Sequence, residues 1–323
     1  MLSIKIFKKK YKNMDNKIYI IGHKSPDLDS SAAAIAYADL KNKMESADNY
    51  APALAGEINK ETEFALKKFG FEKPEVLNNA KEKNIILVDH NEFQQAVSGI
   101  EEAKIIEILD HHKVDFKYGE PIAFTVKPWG ASCTIIADEF FARNIELDKN
   151  LAGLMLSAVL VDTVITKSPT CAEKDKEIIT KLAGIAGITN WQEFGMELFK
   201  IRSTVSELSG AEIIKSDFKD FNFKAGKFGI GQVETVDLNE FAAREDEIIN
   251  ELNKLREAEN YHSVILFITD IIKEGSEFLV STVDQLKVGE ALGAKLKNGK
   301  VYINGMISRK KQVAPKFSEI FDK

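Results

Sequence analysis

The stretch IYIIGHKSPDLDSS, Ile18 to Ser31, decides how the rest of the chain is read. Four β-favouring apolar residues run into Gly22, and His23, Asp27 and Asp29 follow almost at once. Carboxylates this close repel, and the cost grows with burial, so a positive partner is expected among them. The same arrangement recurs in NIILVDHNE, Asn84 to Glu92, and in IIEILDHH, Ile105 to His112. Helical stretches lie between: an Ala-rich segment from Ser30 through AAAIAYADLKNK, and ETEFALKKFG, which stops at Gly70. Alternating strand and helix predicts a parallel sheet with helices on both faces. Ligands of such sheets gather beyond the carboxyl ends of the strands, so the three clusters should lie side by side.

Downstream, DKNLAGLMLSAVLVDT reads as a buried helix carrying Asp162 near its end, and a lone carboxylate there calls for a partner. TCAE, Thr170 to Glu173, has the capping-box pattern of a further helix. IRSTVSELSGA, Ile201 to Ala211, loses apolar periodicity and reads as an interdomain linker. After it come strand-like FGIGQVETV, SVILFIT and EFLVST, an amphipathic helix from about Leu238 to Glu259, and the closing VYINGMISRKKQVAPKF. The expected organisation is a disordered tail over 1–13, an α/β domain over 14–202, a linker over 203–211 and a smaller mixed α/β domain over 212–323, with the active site in the cleft between the domains.

With 323 residues, 44% hydrophobic and 29% charged, the composition is that of an ordinary globular protein long enough for two domains. A net charge of -6 argues against general nucleic-acid binding. No apolar run reaches the roughly 18 residues of a membrane span. Cys133 and Cys171 are too few for a disulfide framework or thiolate metal site, so both read as small core residues of a cytoplasmic protein. The start, MLSIKIFKKKYKNMDNK, lacks the pattern of a signal peptide, and Met14 offers a second start codon.

Of the five histidines, His23, His90, His111 and His112 fall in the strand-end clusters and only His262 lies elsewhere. Imidazoles and carboxylates without thiolate suit Mn²⁺, Co²⁺ or Mg²⁺ better than structural zinc. Asp27, Asp29, Asp89 and Asp162 with His23 and His111 are too many ligands for one catalytic ion that must keep positions open. Two ions sharing a carboxylate fit better, and such a pair, roughly 3.5 to 4 Å apart, prepares water for in-line attack on phosphorus. SRKKQ, Ser308 to Gln312, is on spacing alone an exposed charged run. Opposite a metal site it becomes a phosphate binder, because Arg309 can fork onto phosphate oxygens while Lys310 and Lys311 act as point charges. Lys219, between Asp217 and Asp220, reads by composition as a solvated loop lysine. No Walker loop, GxGxxG fingerprint or GxSxG elbow is present.

GHKSPDLDS, VDHNE, LDHH, LSAVLVDT followed by KSPTC, and SRKKQ occur in that order from residue 22 to 312. The set resembles the DHH phosphoesterase superfamily and, more narrowly, the manganese-dependent (family II) inorganic pyrophosphatases. The resemblance implies a DHH domain followed by a DHHA2-type domain, and hydrolysis of pyrophosphate to two phosphates by a metal-bridging hydroxide. It implies one ion on His23, Asp27 and Asp89 and another on Asp29, Asp89, His111 and Asp162, so that Asp89 bridges. His112, Lys219, Arg309 and Lys310 match the family's phosphate-binding positions, with Asp110 behind them. Also implied are two Mn²⁺ per subunit, replaceable by Co²⁺ or Mg²⁺, a further Mg²⁺ arriving with substrate, closure of the C-terminal domain, and a homodimer formed through the N-terminal domain. Neither nucleic acid nor membrane is an expected partner. Val161 stands where the family often has a small polar residue. The alternative is another DHH phosphodiesterase or exopolyphosphatase acting on oligonucleotides, cyclic dinucleotides or polyphosphate, although the GGGH-type motif usual in nucleic-acid-binding members is missing.

Overall fold

In the computed structural model residues 17–203 and 205–322 are described; the tail over 1–13, Met14 and the side chain of Lys310 lie outside. The chain divides into two units, Met1–Arg202 and Ser203–Lys323.

The short apolar runs of the first unit become β1 (Ile18–Ile21), β2 (Tyr50–Leu54), β3 (Glu75–Val76), β4 (Asn84–Val88), β5 (Lys104–Asp110) and β6 (Ala123–Val126). They form one sheet in the order β3-β2-β1-β4-β5-β6, and every pairing is parallel. Successive side chains of a strand point to opposite faces, and here both faces are buried. Ile20, Ile86, Val88 and Leu109 enter one apolar cluster, while Ile21, Ile85, Leu87 and Ile108 enter another. That double burial explains why these strands read as unbroken apolar runs.

The helices of this unit are α1 (Leu28–Glu45), α2 (Lys60–Lys68), α3 (Ser132–Ala142), α4 (Lys149–Asp162), α5 (Glu173–Ala186) and α6 (Trp191–Arg202). The larger cluster draws on α1, α3, α4 and α5. The other face is covered by Leu77, Ala96, Val97, Ile100 and neighbouring loop residues with two single-turn 3₁₀ segments, not by α-helices. The β4–β5 connection is taken up by the residues that follow Asp89 and by the two 3₁₀ turns, which stand in place of a crossover helix.

Helix α4 is buried almost all round, from Leu151 to Val161, as its apolar sequence predicts. The capping pattern at Thr170–Glu173 falls elsewhere. Helix α5 begins at Glu173, and Asp175 accepts the Ala172 N–H at 2.6 Å, while the Thr170 hydroxyl pairs with Ser168 at 2.6 Å. Asp175 takes that place because it is fully buried and also binds Gly130 and Thr134. Cys133 is buried as expected; Cys171 is only half-buried, and both thiols are free.

The second unit carries β7 (Phe218–Phe223), β8 (Gly226–Thr235), β9 (Ser263–Asp270), β10 (Gly275–Thr282) and β11 (Lys300–Asn304) in the order β11-β10-β9-β8-β7. Only β8 and β9 pair in parallel, so the sheet is mixed. Its helices are α7 (Gly210–Lys215), α8 (Asn239–Ala242), α9 (Glu245–Ala258), α10 (Gln285–Leu292) and α11 (Ala314–Phe321). The stretch 203–211 falls in this unit, where Ser209 and Glu212 cap α7 reciprocally. The single helix expected over Leu238–Glu259 is two pieces. The chain turns at Arg244, whose guanidinium binds Glu247 and the Val205 carbonyl.

Candidate metal centre

Strand order reverses at β1, which has β2 on one side and β4 on the other. Open parallel sheets bind ligands in the crevice beyond the strand ends at such a reversal. His23 and Asp27 leave β1 there, Asp89 follows β4 immediately, and His111 follows β5. Gly22 permits the tight exit from β1, since a Cβ on it would lie 1.8 Å from Ser30 Oγ. Asp27 accepts the Ser30 N–H at 2.9 Å and so caps α1, which sets Asp29 in the first buried turn. Asp89 adopts a left-handed backbone, φ 63°, and its N–H donates to the Leu109 carbonyl at 3.0 Å. That conformation is uncommon outside glycine and best tolerated by Asp and Asn.

Donor atoms of Asp29, Asp89, His111 and Asp162 lie within 4.8 Å of one another, as do those of His23, Asp27 and Asp89, and of Asp89, His111 and His112. Asp89 belongs to all three groups. Its Oδ1 is 3.2 Å from His111 Nε2 and its Oδ2 is 3.5 Å from His23 Nε2. His111 Nε2 is buried without a hydrogen bond among the described residues, while its Nδ1 is 3.0 Å from the Trp129 carbonyl. A histidine tied at Nδ1, with Nε2 facing carboxylates, presents that nitrogen as a metal ligand does.

Asp29 and Asp89 are 0% and 1% exposed. Two like charges about 4 Å apart repel by on the order of 4 kcal/mol even at an effective dielectric constant near 20. A few such pairs rival the roughly 5–15 kcal/mol that stabilise a whole domain, so the cluster must take up protons or cations. Without ions, protons do it. Burial, then the Asp89 charge, pushes Asp29 up to about 7, and burial with Asp29 and Asp89 raises Asp162 well above the usual carboxylate range. Burial opposes charge on His23 and His111, but bonds to Asp27 and Asp89 raise His23 to about 10, and contacts with Asp89 and Asp29 raise His111 to about 9. Burial also disfavours the charged form of Asp89, yet His111 and His23 outweigh it and hold that carboxyl well below its ordinary range.

Asp110 is fully buried. It accepts from the backbone N–H of His111 and His112, lies 2.9 Å from His112 Nδ1, and is held by Asn91 at 2.6 Å. The Asp110 hydrogen bond raises the His112 pKa and leaves Nε2 of this half-exposed ring outward. His90, in contrast, is buried, and its Nδ1 binds the Val88 carbonyl. Val161 lies in the apolar cluster and shares no hydroxyl with the site. Beyond Asp162 the chain turns through Val164, Ile165 and Thr166 at φ 49°, 51° and 67°. Three left-handed β-branched residues in succession are strained by roughly 1–2 kcal/mol each.

In the second unit a pocket of about 510 Å³ is lined by residues that include Lys219, Phe221, Gln232, Glu234, Ser308 and Arg309. Ser308 accepts the Lys311 N–H, and Gln312 accepts from the N–H groups of Ile307 and Ser308. These bonds curl SRKKQ into a wide helical turn ahead of α11. Lys219 is exposed and has no ion-pair partner among the described residues. Arg309 differs from the free fork its sequence suggested. It is 6% exposed, and its two terminal nitrogens bind both Asp217 carboxylate oxygens and the carbonyls of Asp217 and Ile230.

Two family models match: the DHH family N-terminal domain over residues 17–159 and the DHHA2 domain over 196–320. The chain is 45% identical over 313 residues to the manganese-dependent inorganic pyrophosphatase of Methanothrix thermoacetophila, covering 96% of this chain and 100% of that one. The chain belongs to the family of manganese-dependent inorganic pyrophosphatases. The pyrophosphatase of Bacillus subtilis in this family is 38% identical over 302 residues, covering 93% and 97% of the two chains. A crystal structure of a Methanococcus jannaschii protein described as a family II inorganic pyrophosphatase superposes with a TM-score of 0.59 at 43% identity, covering 95% of this chain and all of that one.

Sequence reasoning toward this family missed PWGASC, Pro128 to Cys133, which supplies the Trp129 carbonyl, the Ser132 hydroxyl and two N–H groups to the acidic cluster. It missed Asp175 and Asn91 as well. Small residues ahead of an apolar helix were the only trace of that loop in the sequence. No helix among the described residues is long and apolar enough to cross a membrane.

Proposed function

We propose that this chain hydrolyses inorganic pyrophosphate to two phosphates, with two divalent cations, Mn²⁺ in the first instance, held by His23, Asp27 and Asp89 and by Asp29, Asp89, His111 and Asp162. The observation that carries the reading is Asp89, whose two oxygens face different histidines and which belongs to both ligand groups. Bound divalent cations supply Lewis acidity and bring the pKa of water toward neutrality.

The chain's own residues do the remainder. The six ligands bring four carboxylates whose charge the cations offset. Asp110 orients His112 so that Nε2 can donate a proton or hydrogen bond to a phosphate oxygen. Lys219, Arg309 and Lys310 answer the substrate's negative charge, Lys219 most readily because it is free. Arg309 can join only through Nε or by exchanging Asp217 for phosphate.

Co²⁺ or Mg²⁺ can stand in for Mn²⁺ on this donor set, and a further Mg²⁺ would accompany pyrophosphate. The proposed setting is a cytoplasmic homodimer formed through the first unit. Two free thiols suit a reducing compartment, and the open edge of β6, with Phe124 exposed, offers a surface for pairing.

The test strips the chain of metal, restores Mn²⁺, Co²⁺ or Mg²⁺ separately, and follows phosphate release from pyrophosphate, linear polyphosphate and a cyclic dinucleotide. Fastest hydrolysis of pyrophosphate with Mn²⁺ is expected. Faster cleavage of either other substrate would replace this reading with that of a different DHH phosphoesterase.

A further inference from the structure

The loop Trp129–Cys133 touches three of the six proposed ligands from one side. The Trp129 carbonyl lies 3.0 Å from His111 Nδ1. The Ser132 hydroxyl donates to Asp89 Oδ1 at 3.0 Å. The backbone N–H groups of Ser132 and Cys133, at the start of α3, donate to Asp29 Oδ2 and Oδ1 at 2.6 and 3.0 Å. Among the described residues no hydrogen bond runs from this loop to Asp27, Asp162 or His23.

The loop is itself clamped. Asp175 accepts from Gly130 N–H at 2.8 Å and from Thr134 Oγ1 at 2.6 Å, on either side of Ser132. Gly130 approaches so closely that an added Cβ would lie 2.5 Å from Thr163 Cγ2 and 2.9 Å from Asp175 Oδ2. Asp175, Ser132 and Thr134 are all fully buried. A side chain carried on so fixed a backbone has little freedom to miss its partner.

Resting on the dinuclear reading above, we propose that Ser132 is a positioning residue that fixes the rotation of the Asp89 carboxylate and thereby the affinity of one ion rather than both. The hydroxyl bonds Oδ1, the oxygen facing His111, and leaves Oδ2 to the His23 side. The ion served by Oδ1 is the one whose other ligands, Asp29 and His111, are held by the same loop. Deleting the hydroxyl therefore disturbs the Asp29, His111 and Asp162 position and largely spares that of His23 and Asp27. Loss of a hydrogen bond to a ligating group typically weakens metal binding by about 10- to 100-fold.

The test is a Mn²⁺ titration of the metal-stripped full chain, followed by the electron paramagnetic resonance signal of free Mn²⁺ and by that of the spin-coupled pair, without turnover. The natural chain should bind two ions. Ser132→Ala should bind one as before and the second about 10- to 100-fold more weakly, with the coupled signal shifted to correspondingly higher Mn²⁺. Ser132→Cys, which keeps the volume but offers only a weak donor, should show the same selective loss. Circular dichroism melts of the metal-stripped variants establish that each is folded, and the titration is read on whichever is. Unchanged binding of both ions, equal weakening of both, or failure of both variants to fold would overturn the proposal. Fewer than two ions on the natural chain would overturn the dinuclear reading itself.

Discussion

The two units handle charge in opposite ways. In the first, Asp29, Asp89 and Asp162 crowd together with too little positive charge from the protein to balance them, and the backbone around them is fixed so that they cannot separate. In the second, one cation is neutralised at home, Arg309 by Asp217, while Lys219 in the same pocket has no ion-pair partner among the described residues. A cluster that cannot neutralise itself is a site for cations. A basic pocket that partly neutralises itself is a site whose ligand must compete for its charge.

If the first unit depends on imported cations, Asp89→Asn should have the largest effect, because it removes a ligand from both groups at once. Turnover of pyrophosphate should fall by several orders of magnitude while the circular dichroism melt of the variant still shows a folded chain. Near-normal turnover would contradict a shared carboxylate. Next in size is the second unit. Arg309→Ala should lower kcat/KM for pyrophosphate by about 10²- to 10³-fold, the range for loss of one preorganised hydrogen-bond donor to developing negative charge. Asp217→Asn separates the two roles of Arg309: if the ion pair competes with substrate, KM falls, and if it merely holds the arginine in place, KM rises.

The pH dependence of metal binding probes the first unit in another way. Before Mn²⁺ binds, His23 and His111 hold protons up to about 10 and 9, and Asp29 up to about 7. A ligand must be unprotonated to bind, so each of these protons leaves as metal arrives, and affinity rises with pH through this range. Calorimetry at neutral pH in buffers of different ionisation enthalpy should show more than two protons released, one from each imidazole and the rest from Asp29 and Asp162. No release would mean that the imidazoles are not ligands. The smallest effect belongs to Lys311→Ala. Lys311 is exposed, and losing it should change kcat/KM by less than about threefold, within the range of an exposed charge. A loss equal to that of Arg309→Ala would make the whole run one binding surface.

Much of the first unit was legible because a strand runs into a cluster of His and Asp three times, and a parallel sheet converts that order into proximity. The order β3-β2-β1-β4-β5-β6 itself, with its reversal beside His23 and Asp89, was not read from the sequence, because β2, β3 and β6 carry no cluster to mark them. What supports the ligands was not legible. Ser132 and Asp175 act through bonds to residues 43 and 45 positions away, and such contacts carry no local period. Nor does Val-Ile-Thr announce a left-handed turn. It is held by Ile165 N–H on the Leu160 carbonyl and by the space Gly195 leaves for the Ile165 side chain. Arg309 was read as free because Asp217, its partner across the fold, is 92 positions away in sequence.

The most direct test is the anomalous scattering of a crystal grown with manganese. Two peaks per chain, roughly 3.5 to 4 Å apart with Asp89 between them, are predicted. A vacant cluster, or one peak that leaves His23 or Asp162 without a bond to metal, would contradict the account.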